Sequence, residues 1–260
     1  MTFPMETTEL KELLEHLHDK YNNADFIAGD PISIPHSFSG RDDIEISGFL
    51  ASTIAWGNRK AIVKSARRMV ECMDGQPYDF TLNASDAELS KLHSFVHRTF
   101  NGTDFETFVR CIRVLYAKYG GIGRFFETKY AELGDMRGVL SAFRSEFFAA
   151  NNLPHCEKHV SSIDKGAACK RLNMYIRWMV RRDGRGVDFG LWSSIPASAL
   201  YLPLDVHSGN MGRALGLLTR KQNDWKAVEQ ITASLRTFDA DDPVKYDFSL
   251  FGAGIDGYLK

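Results

Sequence analysis

Apolar residues recur at the spacing of an α-helix along almost the whole chain of 260 residues, and this periodicity most constrains the fold. The first example is the run Leu10, Leu13, Leu14 and Leu17, with polar residues in the gaps. No segment sustains the alternation of a half-buried strand, no hairpin turn joins β-branched runs, and no internal repeat is visible. The sequence therefore predicts an all-α protein.

Breaks in the pattern divide the chain into predicted domains. Residues 22–40 contain Gly29, Pro31, Pro35 and Gly40, which predicts an irregular loop. Residues 86–149 contain three or four helical stripes of aromatic residues, which we interpret as core. Asn151–His159 resembles a linker. We therefore predict an N-terminal helix and loop over 1–40, a first helical lobe over 41–150 and a second over 151–260, with a cleft between the lobes.

Several features indicate a cytoplasmic protein without a membrane partner. The longest mostly apolar stretch, Gly48–Ala55, is too short to span a bilayer. Acidic residues occupy the N-terminal segment, where a signal peptide would carry basic ones. The four cysteines are far apart and form no CxxC pair, which favours a reducing compartment and excludes a four-cysteine iron–sulfur cluster.

The net charge of −1 is a cancellation between two regions of opposite charge. Residues 1–40 hold seven acidic and two basic side chains, whereas residues 165–185 hold seven basic side chains and one acidic. The near-zero total therefore does not exclude a nucleic-acid partner. The uneven distribution of charge predicts that a nucleic acid would contact one limited basic region of the protein. The alternative is that the basic segment is a solvated helix face.

The run His155-Cys156-Glu157-Lys158-His159 offers three kinds of metal ligand within five residues. No second motif elsewhere completes a zinc site in the sequence, so we interpret the run as a polar loop. The sequence predicts no metal and no cofactor.

Two segments carry the residues that point to chemistry. Gly166 lies four positions before Lys170, at the predicted start of a helix that runs to about Arg182. The small residues between them would let the backbone approach a phosphate. In Pro203-Leu204-Asp205-Val206-His207, the aspartate is placed to cap a new helix. Considered alone, Lys170 is interpreted as a charged surface residue and Asp205 as the N-cap of a helix.

Together these segments resemble the helix-hairpin-helix DNA glycosylase superfamily. Residues 203–207 are similar to the Pro-Val-Asp-Val-His motif of its 8-oxoguanine DNA glycosylase branch, and the spacing of Lys170 and Asp205 is within that branch's range. The whole chain looks like an uncharacterised bacterial branch of the superfamily. One departure is clear: the usual hairpin reads Leu-Pro-Gly-Val-Gly, whereas residues 163–168 contain one glycine and no proline, so the hairpin is degenerate.

The resemblance implies a base-excision repair enzyme that acts on damaged double-stranded DNA. Lys170 would attack C1′, expel an oxidised purine and form a Schiff base, after which β-elimination nicks the strand; 8-oxoguanine is the expected base. Asp205 would stabilise the positive charge that develops on the sugar. The residues expected to hold the DNA backbone are Gly166, Arg171 and His207.

The resemblance also indicates a base pocket and a wedge. Met174 lies one turn after the lysine, and Asp247 and Phe251 are four residues apart, as in the branch's pair of a polar reader and an aromatic stacker. A packed amphipathic helix is the alternative for 247–251. Asn58 and Arg59, at the start of a basic helix predicted over Arg59–Met73, align with the segment that fills the gap left by a flipped base.

Two other functions stay open at this point. The chain could be a non-catalytic DNA-binding or scaffold protein on the same helical fold, a reading that the degenerate hairpin favours. It could also be a helical protein unrelated to DNA. The sequence does not fix the oligomeric state, and a monomer is favoured.

Overall fold

The computed structural model describes residues 6–149 and 153–258 and confirms a predominantly helical protein. The helices, in chain order, are α1 (Thr7–Tyr21), α2 (Ala24–Ala28), α3 (Arg41–Thr53), α4 (Arg59–Cys72), α5 (Pro77–Asn83), α6 (Asp86–Lys91), α7 (Gly102–Tyr119), α8 (Ile122–Leu133), α9 (Met136–Ala149), α10 (Lys170–Val180), α11 (Val206–Ala214), α12 (Trp225–Arg236) and α13 (Asp247–Asp256). Within the described ranges, no helix combines the length and the apolar content needed to cross a membrane.

The chain forms two compact units. The contiguous unit is Ile27–Ser161, and the split unit combines Met1–Phe26 with Ser162–Lys260. The predicted second lobe began at residue 151, whereas the division falls after Ser161. The predicted N-terminal segment 1–40 is divided between the two units. Of the predicted linker Asn151–His159, residues 151 and 152 lie outside the described part of the chain.

Aromatic side chains fill the core of the contiguous unit, as their helical spacing predicted. Phe143 stacks on Phe126 and on Phe147, with ring centroids 4.8 and 5.4 Å apart. Phe49 and Phe108 also stack, 5.9 Å apart. All five rings are buried, so they hold α3, α7, α8 and α9 together by their apolar area and ring geometry.

Two segments differ in secondary structure from the sequence prediction. Residues 22–40 contain α2 and two 3₁₀ helices, Pro31–Ser33 and Pro35–Ser37, instead of an irregular loop. Each 3₁₀ helix begins at a proline because the fixed φ of proline suits a first helical position. A short hairpin joins β1 (Val96–His97) to β2 (Phe100–Asn101). Strands of two residues are too short to show any periodicity.

In the split unit, α1 packs against α13. The Tyr246 hydroxyl, just before α13, donates to the Glu15 carboxylate at 2.6 Å, and the Ser249 hydroxyl donates to the Leu14 carbonyl at 2.7 Å. A Cβ atom on Gly252 would overlap the Tyr21 ring, so only glycine allows this approach. The first helix is therefore an integral part of the unit that holds the C-terminal segments.

Candidate active site in the split unit

A tight turn precedes α10. The Gly166 amide donates to the Ile163 carbonyl at 2.8 Å, and Gly166 has a φ of +80°, which glycine adopts without strain. The Gly166 carbonyl accepts a hydrogen bond from the Trp225 amide at 2.9 Å. Cys169 is also left-handed, with φ 49° and ψ 35°, so α10 begins at Lys170 and not at Gly166 as predicted. It ends at Val180, and the α-helix does not continue to Arg182.

Lys170 is the first residue of α10 and is half-buried. Its Nζ lies 3.4 Å from the Sδ of Met174, one turn along the helix, and 6.0 Å from the centroid of the Phe251 ring. Lys170 forms no ion pair with any residue in the described part of the chain. The contacts that the amine makes with described side chains are therefore to a thioether and to an aromatic ring.

Asp205 is the N-cap of α11, as its position in the sequence predicted. Its Oδ1 accepts hydrogen bonds from the amide and the hydroxyl of Ser208, at 2.9 and 3.2 Å. The Ser208 hydroxyl in turn accepts from the Asp205 amide at 2.9 Å, and Asn223 donates to the Asp205 carbonyl at 2.9 Å. Oδ2 accepts no hydrogen bond from the described residues. The cap therefore fixes the carboxylate and leaves one oxygen available.

Helix α13 brings Asp247 and Phe251 to these two segments. The Phe251 ring lies 6.1 Å from the His207 ring, at an interplanar angle of 89°. Burial raises the pKa of Asp247 to about 6; Arg177 and Lys170 oppose this rise, whereas Asp205 adds to it. The charges of both Lys170 and Asp205 thus act on one buried carboxyl group. The structure therefore brings together six predicted residues, which share one neighbourhood: Lys170, Met174, Asp205, His207, Asp247 and Phe251.

A buried ion network lies behind this neighbourhood, and the sequence analysis missed it. Arg177, which is 3% exposed, pairs with Asp247 and with Asp188, the latter at 3.3 Å. Arg181 is 1% exposed and pairs with three carboxylates: Asp183 at 2.8 Å, Asp188 at 3.2 Å and Asp242 at 2.7 Å. The basic segment 165–185 is therefore not a uniform solvated face.

The pattern that identifies this network is the spacing of four between Arg177 and Arg181. Residues four apart on a helix share a face, and the neighbouring Trp178 and Val180 indicate that this helix is buried. Buried arginines need carboxylate partners. The aspartates that supply them are spread over the 65 residues from Asp183 to Asp247, so their meeting could not be read from local sequence.

His18 belongs to the same network through Arg181. Its Nε2 lies 2.9 Å from Asn22 Nδ2 and 3.4 Å from Arg181 Nη2, and both of these atoms are donors. A nitrogen that receives hydrogen bonds carries no proton, so the ring is neutral. Burial, reinforced by the charges of Arg181 and Arg185, lowers the pKa of His18 to about 4.

We expect His18→Gln to change how stability depends on pH. The folded-state pKa of His18 is below its ordinary value of 6.5, so its contribution is complete above pH 6.5 and is lost as the pH falls towards 4. The shift corresponds to about 3 kcal/mol. Asp247 acts in the opposite sense, because its raised pKa makes the folded state more stable as the pH falls from 6 towards 4.

Comparing His18→Gln with the original protein separates the contribution of His18 from those of the other titratable groups. Urea unfolding at pH 7, 6 and 5 should show the free energy of unfolding of His18→Gln rising relative to the original protein as the pH falls. His16→Gln, on the exposed face of α1, is the control and should keep the original profile. Parallel profiles for His18→Gln and the original protein would contradict the assignment of a neutral, buried His18.

The remaining predicted site residues have ordinary structural contacts. Arg171 is half-buried, and burial lowers its pKa to about 10. In the contiguous unit, Asn58 is the N-cap of α4 and accepts from the Ala61 amide at 3.1 Å. Arg59 Nη2 lies 3.6 Å from an Asp30 oxygen. The DNA-contacting and wedge roles of these residues stay predictions.

Comparison with known proteins gives one match. A family model described as "Protein of unknown function (DUF2400)" matches residues 30–256. No curated protein and no solved structure matches the chain. The matched range includes every residue of the candidate site.

Proposed function

Because the chain belongs to the DUF2400 family, whose description names no activity, we propose a function from its own residues: it is a DNA glycosylase with AP lyase activity. Its substrate is an oxidised purine, expected to be 8-oxoguanine, in double-stranded DNA. The observation that carries the proposal is the meeting of Lys170 and Asp205 around Asp247 and Phe251. In this proposal the turn 163–166 takes the place of a degenerate hairpin, and α10 takes the place of the helix that follows it.

Lys170 is the proposed amine nucleophile. An amine attacks through the lone pair of its nitrogen, so it must not be held in a salt bridge. No described carboxylate pairs with Lys170, whereas Arg177 and Arg181 on the same helix have five ion pairs between them. In the proposed step, Nζ bonds to C1′ while the base leaves with the electron pair of the glycosidic bond and takes up a proton. The sugar then opens to a Schiff base, and β-elimination breaks the 3′ phosphate bond.

Asp205 supplies a fixed negative charge for this step. Positive charge develops on the sugar as the base leaves, and a carboxylate already held in place stabilises it without reorganisation. The hydrogen bonds to Oδ1 hold the group, and Oδ2 faces no competing donor among the described residues. Capping and catalysis are compatible roles because they use different oxygens.

We expect Asp205→Asn to separate these two roles. Asparagine caps a helix about as well as aspartate, so the free energy of unfolding should change by less than about 1 kcal/mol. The negative charge is lost, so single-turnover base excision should slow by about 10²- to 10³-fold. Asp224→Asn is the matched control, since Asp224 caps α12 in the same unit through the Ala227 amide. Unchanged excision by Asp205→Asn would contradict the catalytic role.

Phe251 and Met174 are proposed to receive the flipped base. Base flipping needs an apolar surface on which the extruded base can stack. Phe251 is partly exposed, whereas Met174 is 7% exposed. Asp247 is 6% exposed and already accepts a hydrogen bond from Arg177. In this proposal Asp247 therefore keeps its bond to Arg177 while it contacts the edge of the base.

Exposed basic residues supply candidate phosphate contacts. His207 is exposed at the first turn of α11, where the helix dipole also favours an anion. In the contiguous unit, α4 lines a surface pocket with Lys60, Lys64, Arg67 and Arg68, all of which are exposed. This basic face favours a second candidate function, non-catalytic DNA binding, because phosphate contacts alone give salt-dependent affinity.

Reductive trapping separates the two functions. Duplexes that contain 8-oxoguanine, an abasic site or no lesion are incubated with the protein and borohydride. The proposed enzyme forms a covalent adduct with the damaged duplexes only, since borohydride reduces the Schiff base. Salt-sensitive binding without an adduct on any duplex would refute the enzyme and favour the binding protein.

A further inference from the structure

A second cluster of reactive side chains lies in the contiguous unit, where the first turn of α7 meets the 3₁₀ helix Pro154–His159. Asp104, His155 and Cys156 each direct one ligand atom to the same place, and these atoms all lie within 4.8 Å of one another. The proposed glycosylase chemistry uses none of them. The cluster is therefore separate from the proposed active site.

Asp104 is fully buried, and its two oxygens differ. Oδ2 accepts the Asn101 amide at 3.0 Å and lies 3.2 Å from His159 Nε2. Oδ1 accepts no hydrogen bond, although His155 Nε2 is only 3.3 Å away. A buried carboxylate oxygen without a hydrogen bond is costly, and the groups close to Asp104 on this side are the His155 ring and the Cys156 thiol, both of which can bind a metal ion.

The distances match those between the ligands of a tetrahedral ion. Zinc bonds of about 2.0 Å to nitrogen and oxygen and 2.3 Å to sulfur place neighbouring ligands about 3.3 Å apart for a nitrogen–oxygen pair and about 3.5 Å apart for a nitrogen–sulfur pair. His155 Nε2 lies 3.3 Å from Asp104 Oδ1 and 3.4 Å from Cys156 Sγ. These two ligand separations are therefore already close to those expected around a bound Zn²⁺ ion.

A cysteine, a histidine and an aspartate also suggest a nucleophilic triad, but the geometry is wrong for one. In a triad, one ring nitrogen faces the nucleophile and the other faces the carboxylate. Here the same atom, His155 Nε2, faces both the thiol and the carboxylate. The ring therefore cannot take a proton from Cys156 while Asp104 holds its other nitrogen.

We propose that Asp104, His155 and Cys156 bind one Zn²⁺ ion in the contiguous unit. The imidazole, thiolate and carboxylate are all zinc ligands, and the Cys156 thiol gives its proton to solvent as the zinc–sulfur bond forms. His155 is 45% exposed, so the fourth position is open to a water molecule. His159 is a positioning residue, since it lies beside Oδ2 and directs Oδ1 towards the ion. The ion ties the segment 154–159 to the start of α7.

Zinc titration of the full chain tests this proposal. Purified protein is stripped with a chelator, and Zn²⁺ is added back in competition with a chromophoric indicator. We expect one bound Zn²⁺ ion per chain. Cys156→Ser and Asp104→Asn each alter a direct ligand, so each should weaken zinc binding by about 100-fold or more, which exceeds the loss usually caused by replacing a residue that only orients a ligand. His93→Asn and Cys72→Ser are matched controls. His93 contacts the Glu106 carboxylate on the surface, and Cys72 is a half-buried thiol outside the cluster.

A second measurement does not depend on the folding of any variant. Co²⁺ added to the stripped original protein should give the intense visible bands of a tetrahedral site and a sulfur-to-cobalt charge-transfer band in the near ultraviolet. Absence of stoichiometric Zn²⁺ binding, a Co²⁺ spectrum without the sulfur band, or equal loss of binding in the controls would each overturn the proposal. Neither result bears on base excision, since the cluster contains no residue of the proposed active site.

Discussion

Lys170→Gln will eliminate the covalent adduct with damaged DNA and slow base excision by at least about 10³-fold, because the amide cannot form a Schiff base. Glutamine has a similar length and can keep the contacts with Met174 and Phe251. Lys170 has no ion pair with described residues to lose, so the free energy of unfolding should change by less than about 1 kcal/mol. Borohydride trapping and single-turnover excision measure the first two effects, and urea unfolding measures the third.

Lys165→Gln is the matched control for this substitution. Lys165 is exposed in the turn that precedes α10 and should retain full trapping. DNA affinity should fall by only a small factor in both variants, since each loses one positive charge. Trapping that survives Lys170→Gln would assign the nucleophile to another amine. Loss of trapping in both variants would point to a defect in DNA binding.

Arg181→Met is expected to lower the free energy of unfolding by about 3–5 kcal/mol, the largest loss of stability that we predict. The arginine is buried against Asp183, Asp188 and Asp242 and also lies beside His18. Methionine fills a similar volume but removes the ion pairs of Asp183 and Asp242 and leaves Asp188 with Arg177 alone. Urea or guanidinium unfolding at pH 7 measures the loss.

Arg185→Met is the control, because Arg185 pairs with Asp19 on the surface. An exposed ion pair contributes about 1 kcal/mol or less, so this variant should unfold almost like the original protein. Similar losses in the two variants would mean that the buried network contributes no more than a surface pair. Arg181→Lys should recover only part of the loss, since one ammonium group lacks the planar fork of a guanidinium.

Local sequence was enough to predict the long helices. The leucine spacing located α1, and the basic helix predicted over Arg59–Met73 matches α4 to within one residue. The start of α10 was predicted four residues early, because the left-handed conformations of Gly166 and Cys169 are set by contacts to segments distant in sequence, such as the Gly166–Trp225 hydrogen bond. The hairpin 96–101 was missed because each of its strands has only two residues, a single period of alternation, which is too short to form a pattern.

The candidate active site was predictable because its residues occur in two short motifs. Lys170 and Asp205 each have a local context, and the cap at Asp205 can be read from its position before α11. The buried network and the zinc-ligand cluster were not predictable in this way. Asp104 reads in the sequence as a residue of a helix start, and only the fold places it beside His155 and Cys156. Clusters assembled from distant segments leave no local pattern.

The division of the chain has a consequence for its synthesis. The ribosome completes the contiguous unit before it makes α13, so this unit is able to fold while α1 still lacks the helix that covers it. During that interval Leu10, Leu14 and Leu17, which are buried in the finished protein, remain open to solvent and to other chains. The apolar face of α1 therefore gains its final cover only after α13 has been synthesised.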